Sequence, residues 1–360
     1  MRNRHDTIGG GQAGFSIVEL MVAMLISLLL LAGVLSVMYT SRITYDENAR
    51  IARLQEYARS SVELLLRDLR SSGQNGCGRP IQSDSFRNLL NGTLPSSVRY
   101  NFALAVQGYD GTSGAFVPTM PTNAITGIPS ATPGNDVIVI RSLRADIPPM
   151  RLATAYAGGT ANLPVDRTGA ATLPAGTPLI VSDCRYANII TNSAAVGGGA
   201  NVSLPRAIGT ITVGGAIQTP ANTATALPAY AAGSLVTAIE TSTYYIRASA
   251  TGSGPSLWRI SGNNPPEELV EGVERLEIQY GEDTTGDRLV DVYRAADAVA
   301  NWANVLSVSL AVLMRSPDQS IDSSGGALTY DMLGTVVGPF NDRRPRLLFT
   351  TTAAVRNRAI

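Results

Sequence analysis

The chain has 360 residues, enough for a substantial core, and a formal net charge of zero, which removes any bulk electrostatic draw toward nucleic acid or an anionic surface. It contains no lysine, so all 28 basic residues are arginine, and its one histidine is His5. A chain that loses His5 with a leader has no Ser-His-Asp or Cys-His catalysis, no histidine metal site, no P-loop lysine and no Schiff-base lysine, which leaves carboxylate chemistry alone.

Residues 1–14 are short, polar and mildly basic through Arg2 and Arg4. Phe15 to Tyr39 then runs for about 25 residues with one charge, Glu19, long enough for a helix to cross a bilayer. The basic leader stays cytoplasmic and the remainder is exported. An ordinary secretory signal places its small residues after the apolar run. Here Gly9 to Gly11 and Ala13-Gly14 precede it, so a cut there leaves the hydrophobic helix on the mature chain. A carboxylate inside an apolar segment costs a few kcal/mol unless it is partnered. The helix dipole helps Glu19 modestly. A neighbouring subunit's N-terminal amine would serve better, and cleavage after Gly14 creates such an amine.

Gly14-Phe15-Ser16-Ile17-Val18-Glu19-Leu20 resembles the processing and methylation motif of type IV pilins and type II secretion pseudopilins. The resemblance implies that a prepilin peptidase cuts after Gly14 and N-methylates Phe15, and that Glu19 sets subunit register. Major pilins typically carry a proline midway along this helix. Here none occurs before Pro80, which points to a minor subunit.

Beyond the apolar stretch (15–39) an amphipathic half is expected over 40–72. Ile51, Leu54, Ala58, Val62, Leu65 and Leu69 recur at steps of three or four. Ser71-Ser72-Gly73 and Asn75-Gly76 stop the helix. From Phe15 to Ser72 it would run roughly 85 Å at 1.5 Å per residue. Two cysteines, Cys77 and Cys184, fit no zinc spacing. Outside the cytosol they read as one disulfide, worth about 4–5 kcal/mol in the chain-entropy account. Two buried free thiols are the alternative.

Residues 73–360 have a β texture. Strands are expected over 136–141, 179–182, 235–247 and 256–260, with period-two patterns at Leu276-Ile278-Tyr280 and Leu306 to Met314, and a last strand over 347–355. Nothing suggests a parallel α/β sheet. The Ala-, Gly-, Thr- and Pro-rich stretch 148–235 lacks strong periodicity and reads as an elaborated β region with long loops. The fold class is therefore α+β, a long N-terminal helix packed by its rear half on an antiparallel β-sheet domain.

Asp283, Asp287 and Asp291 recur every four residues around Gly286. They are compatible with an oxygen-rich Ca²⁺ loop, although the EF-hand pattern is not met, and equally with a hairpin turning at Thr285-Gly286. Glu267, Glu268, Glu271, Glu274 and Glu277 read as a solvated acidic face rather than a carboxylate pair in a cleft. Arg343, Arg344, Arg346, Arg356 and Arg358 read as partners of acidic residues, on this fold or on neighbouring subunits, in preference to DNA phosphates.

The stretches 277–291 and 343–358 are similar to the PilW type of minor pilin. That resemblance implies a structural subunit, inner-membrane-anchored before assembly and pilus-borne after it. It would join other minor pilins and the major pilin, act with the prepilin peptidase and the inner-membrane assembly platform to prime assembly, and carry a large adhesin-like partner at the tip. A type II pseudopilin and a membrane-tethered carboxylate enzyme are the rival expectations.

Overall fold

The computed structural model describes residues 14–74, 86–90, 98–112, 115–120, 134–183, 185–213, 217–220, 222–252, 254–262, 264–317 and 327–355. The chain divides into two units, Met1–Ala52 and Arg53–Ile360. One helix, α1 (Ile17–Arg70), begins in the first and ends in the second.

In the first unit every described residue from Gly14 to Arg42 is exposed, including the whole apolar run. Near the end of that run the hydroxyls of Ser36, Thr40 and Thr44 donate back to the carbonyls of Gly33, Ser36 and Thr40 at 3.1, 3.0 and 3.0 Å. These side chains are satisfied without water, as a lipid or helix-packed setting requires. The helix is long and apolar enough to span a bilayer.

In the second unit α1 buries Leu54, Ala58, Ser61, Val62, Leu65, Leu66, Asp68 and Leu69. This is the apolar stripe that the sequence spacing outlines, from Leu54 on, while Ile51 is 44% exposed; full burial of a leucine such as Leu65 contributes about 2–3 kcal/mol. The helix stops where Ser-Ser-Gly demands. Gly73 adopts φ +69°, a left-handed conformation that glycine takes without a Cβ penalty. Its amide donates to Arg141 O at 3.0 Å.

The strands in chain order are β1 (Phe86–Asn88), β2 (Val106–Thr112), β3 (Ala115–Val117), β4 (Val137–Leu143), β5 (Met150–Leu152), β6 (Leu163–Asp166), β7 (Pro178–Ser182), β8 (Ala187–Thr191), β9 (Val202–Leu204), β10 (Thr210–Val213) and β11 (Ile217–Pro220). There follow β12 (Leu235–Ala248), β13 (Pro255–Ser261), β14 (Glu267–Glu271), β15 (Val273–Glu282), β16 (Val292–Arg294), β17 (Val305–Arg315), β18 (Leu328–Met332), β19 (Thr335–Phe340) and β20 (Arg346–Ala354). β12 is the spine of the larger sheet. Its first half pairs with β7 and β5, and its second half with β4 and β13. A second sheet runs β16-β15-β17-β20. Pairing is antiparallel except at β1–β8, which is parallel.

The rear of α1 packs into one core with Ile138 and Ile140 of β4, Tyr244 and Ile246 of β12, Leu276 and Ile278 of β15, and Leu310 and Val312 of β17. The region 148–235 is more ordered than its composition suggests. It builds β5 to β11 and a core of its own, including Leu163, Val165, Leu179, Val181, Leu204 and Tyr230. Isolated bridges at Tyr156↔Tyr230, Gly159↔Leu227 and Leu173↔Val196 tie its loops. Buried arginines take the place of further strands. Arg206 donates to the carbonyls of Gly159, Thr223 and Thr225, and Arg141 to those of Val98 and Leu104.

Candidate functional site

The N-terminal motif lies at the start of α1. Gly14, Phe15 and Ser16 precede the first helical residue, and Phe15 is 88% exposed. A Cβ added at Gly14 would meet nothing within 4 Å. The fold therefore does not require glycine there, and any requirement must come from whatever reads the motif from outside.

Ser16 caps the helix. The Val18 amide donates to Ser16 Oγ at 3.3 Å, and the Ser16 amide donates to Glu19 Oε2 at 3.1 Å. This reciprocal pair is a capping box, and it satisfies donors that the first helical turn otherwise leaves open. Within its own chain Glu19 thus already holds an amide adjacent to Phe15. The Ser-x-x-Glu spacing carries that signal in the sequence.

At the other end of α1 the buried Asp68 accepts from Tyr244 Oη at 2.7 Å. Burial pushes the Tyr244 hydroxyl well above its usual range, and the Asp68 charge adds to that shift. Arg259, beside Tyr244, continues to Glu267 at 2.6 Å. Helix, β12, β13 and β14 are thereby linked by one polar chain.

The two sheets are stitched at the start of β4. The Asp136 amide donates to Leu276 O at 3.0 Å, and its carboxylate accepts from Gly111 at 2.9 Å and from Ile278 at 2.8 Å. Burial raises the Asp136 carboxyl to about 7. Glu277 is raised to about 8 by burial and then by the neighbouring Asp136 and Asp110 charges. Neither Asp136 nor Asp110 stood out as a site in the sequence, because the β15 partner Ile278 meets Asp136 from 142 residues away.

The remaining sequence candidates are distributed as follows. Cys77 and Cys184 lie outside the described residues, as do Arg356 and Arg358. Asp283, Asp287 and Asp291 occupy the loop between β15 and β16 and spend their oxygens on it. Asp283 accepts from the amides of Thr285, Gly286 and Arg288, Asp287 from Leu289, and Asp291 from Thr284 and Thr285. Among the described residues no group of three or more His, Cys, Asp or Glu side chains is placed to hold a metal ion. The acidic stretch divides. Glu267 pairs with Arg259, whereas Glu274 pairs with Arg315 at 3.2 Å and Arg346 at 2.6 Å. Arg346 also holds Asp342 at 2.7 Å and stacks over Phe340 at 3.8 Å. Arg344 lies 3.8 Å from Asp342, so these two arginines serve the fold.

Two family models match the chain. The prokaryotic N-terminal methylation motif covers residues 10–35, and Type IV Pilus-assembly protein W (PilW) covers residues 243–357. The second match runs from the middle of β12 through β20 and contains the whole second sheet. No curated protein and no solved structure matches significantly. The methylation motif and the exposed apolar helix fit an inner-membrane anchor that later enters a pilus. The chain is thus similar to type IV pilins at its N-terminal motif and to the PilW type of minor pilin over its C-terminal sheet.

Proposed function

We propose that the chain is a minor pilin of the type IV pilus, a structural subunit that helps other minor pilins to prime assembly and takes a place at or near the tip. The observation that carries this reading is the first turn of α1. A carboxylate, Glu19, is bonded one residue from Phe15 at the head of a helix whose front part, as far as Arg42, is wholly exposed.

The match to the N-terminal methylation motif supports the following steps. Hydrolysis of the Gly14–Phe15 peptide bond by a prepilin peptidase releases the leader and leaves a free amine on Phe15, which takes a methyl group from a sulfonium methyl donor, leaving a thioether and losing a proton. The amine keeps its positive charge after methylation. Glu19 exchanges the Ser16 amide for the cationic amine of a neighbouring subunit, which adds attraction between opposite charges to a hydrogen bond of which only the acceptor is charged. The front half of α1 leaves lipid for other helices at little hydrophobic cost, because both surroundings are apolar. The β domain supplies the surfaces that other pilins meet. A chain whose mature form lacks lysine and histidine suits a structural role better than a catalytic one.

A clean deletion tests the proposal, scored in parallel for pilin in sheared surface fractions and for type II exoprotein secretion. Lost or reduced surface pilin with normal secretion supports it. Normal pili with lost secretion would assign the chain to a pseudopilus instead.

A further inference from the structure

An open cleft of about 150 Å³ lies where the middle of β12 meets the end of β13, between the segment 99–102 and the loop 174–178. We propose that this cleft is a binding site for one neutral sugar ring.

Its floor is Glu240. One carboxylate oxygen accepts from Ser261 Oγ, and the other makes no hydrogen bond among the described residues. Glu240 is half-buried and lines the open cleft, so this second oxygen is available to accept from a ligand hydroxyl. Burial pushes the Glu240 carboxyl up, against the Ser261 hydrogen bond and the Arg144 charge, and the charges of Asp68 and Asp146 add smaller upward contributions. Of the lining cations, Arg144 is already committed. Its Nε and Nη2 donate to Asp146 at 2.8 and 2.9 Å, while Nη1 has no hydrogen bond among the described residues. Asn264 adds an amide, and Tyr100 and Phe102 add aromatic wall.

Charge and size choose the ligand class. An anion would meet Glu240 and the field of Asp68 and Asp146, and an organic cation would meet Arg99 and Arg144 in the lining. What fits is a neutral molecule with hydroxyls that both donate and accept, and an apolar CH face for the rings. The volume is below the roughly 300–1,000 Å³ of pockets that take drug-sized ligands, so a single ring is the appropriate size.

The walls are built before any ligand arrives. Thr241 Oγ1 donates to Arg99 O at 2.5 Å, fixing the 99–102 segment over β12. Asn192 Oδ1 accepts from the Thr177 amide at 2.8 Å, and Thr177 Oγ1 donates to Pro174 O at 2.8 Å, which fixes the opposite loop. A site held this way loses little ordering entropy on binding.

The experiment uses the full chain in a detergent without a sugar headgroup. Methyl glycosides of glucose, galactose and mannose, and N-acetylglucosamine, are titrated by saturation-transfer NMR and calorimetry. We expect at least one to bind saturably with a millimolar Kd, weakened tenfold or more by Glu240→Ala and by Arg144→Ala at unchanged thermal midpoint. Should Glu240→Ala fail to fold, Glu240→Gln and Asn264→Ala carry the comparison. No saturable binding by any of the four would overturn the proposal. So would binding indifferent to these substitutions, or displacement of the sugar by butylamine or acetate, which would show that the cleft selects charge.

Discussion

Tyr244 Oη donates to the Asp68 carboxylate at 2.7 Å in the buried seam between the last turn of α1 and the centre of β12. The contact spans 176 residues of sequence, so it forms only when helix and sheet have docked. It is also the point where the assembly helix is fixed chemically to the β domain, since the other buried contacts along that helix face are mainly apolar.

Tyr244→Phe removes the donor and leaves Asp68 buried without it. The expected cost is about 1–3 kcal/mol, read as a lower thermal or urea midpoint of the detergent-solubilised chain. Asp68→Asn, which keeps an acceptor, should cost less. Equal midpoints for parent and Tyr244→Phe would remove the lock from the account.

The carboxyl seam at Asp136 and Glu277 makes stability depend on pH. Both groups have folded values above their ordinary ones, about 7 and about 8, so the folded chain binds protons more tightly than the unfolded one. Their contribution is therefore fullest at acidic pH, declines as pH rises from about 4, and levels off above about 8. Asp110 on β2 and Asp297 beside it add negative charge, while Arg275 on β15 opposes it at Glu277. The thermal midpoint should fall between pH 5.5 and 8.5 in the parent and fall less in Glu277→Gln. Identical slopes, or a midpoint that rises with pH, would contradict this.

The aspartate loop between β15 and β16 gives a different expectation from that of its sequence pattern. Its oxygens already accept loop amides, so Ca²⁺ at millimolar concentration should leave the thermal midpoint unchanged, with or without Asp287→Asn. A Ca²⁺-dependent rise of several degrees that Asp287→Asn abolishes would restore the metal reading.

At the N-terminus two substitutions separate processing from assembly. Gly14 has open space around it, so Gly14→Val should leave the fold intact and block only the shortening of the chain, seen on a gel. Glu19→Ala should be shortened normally yet recovered at less than a tenth of parental yield in sheared fibres. Normal shortening of Gly14→Val, or full recovery of Glu19→Ala, would argue against the assigned roles.

What the sequence reveals follows from the range of the interactions. The α1 stripe and its Ser-Ser-Gly stop are local and were legible, as were strands such as β12 and β17 whose alternation or length is long enough to read. The lobe over 148–235 was legible only as β texture and as one strand, β7, expected over 179–182. Its strands are three to five residues long, and its order comes from bridges and arginine-to-carbonyl bonds between distant segments. The same holds for Asp136 and Ile278, which meet across 142 residues. Glu19 is the instructive case. Its need for a partner was evident, but the nearest one, the Ser16 amide, was three residues away.

The central claim is that the chain is cut before Phe15 and built into a fibre, and mass spectrometry of its N-terminal peptide from sheared surface fibres tests it most directly. The account predicts a peptide that begins at N-methylated Phe15. A chain found only in the membrane fraction, or recovered from fibres with Met1 or an internal residue at its end, would contradict it.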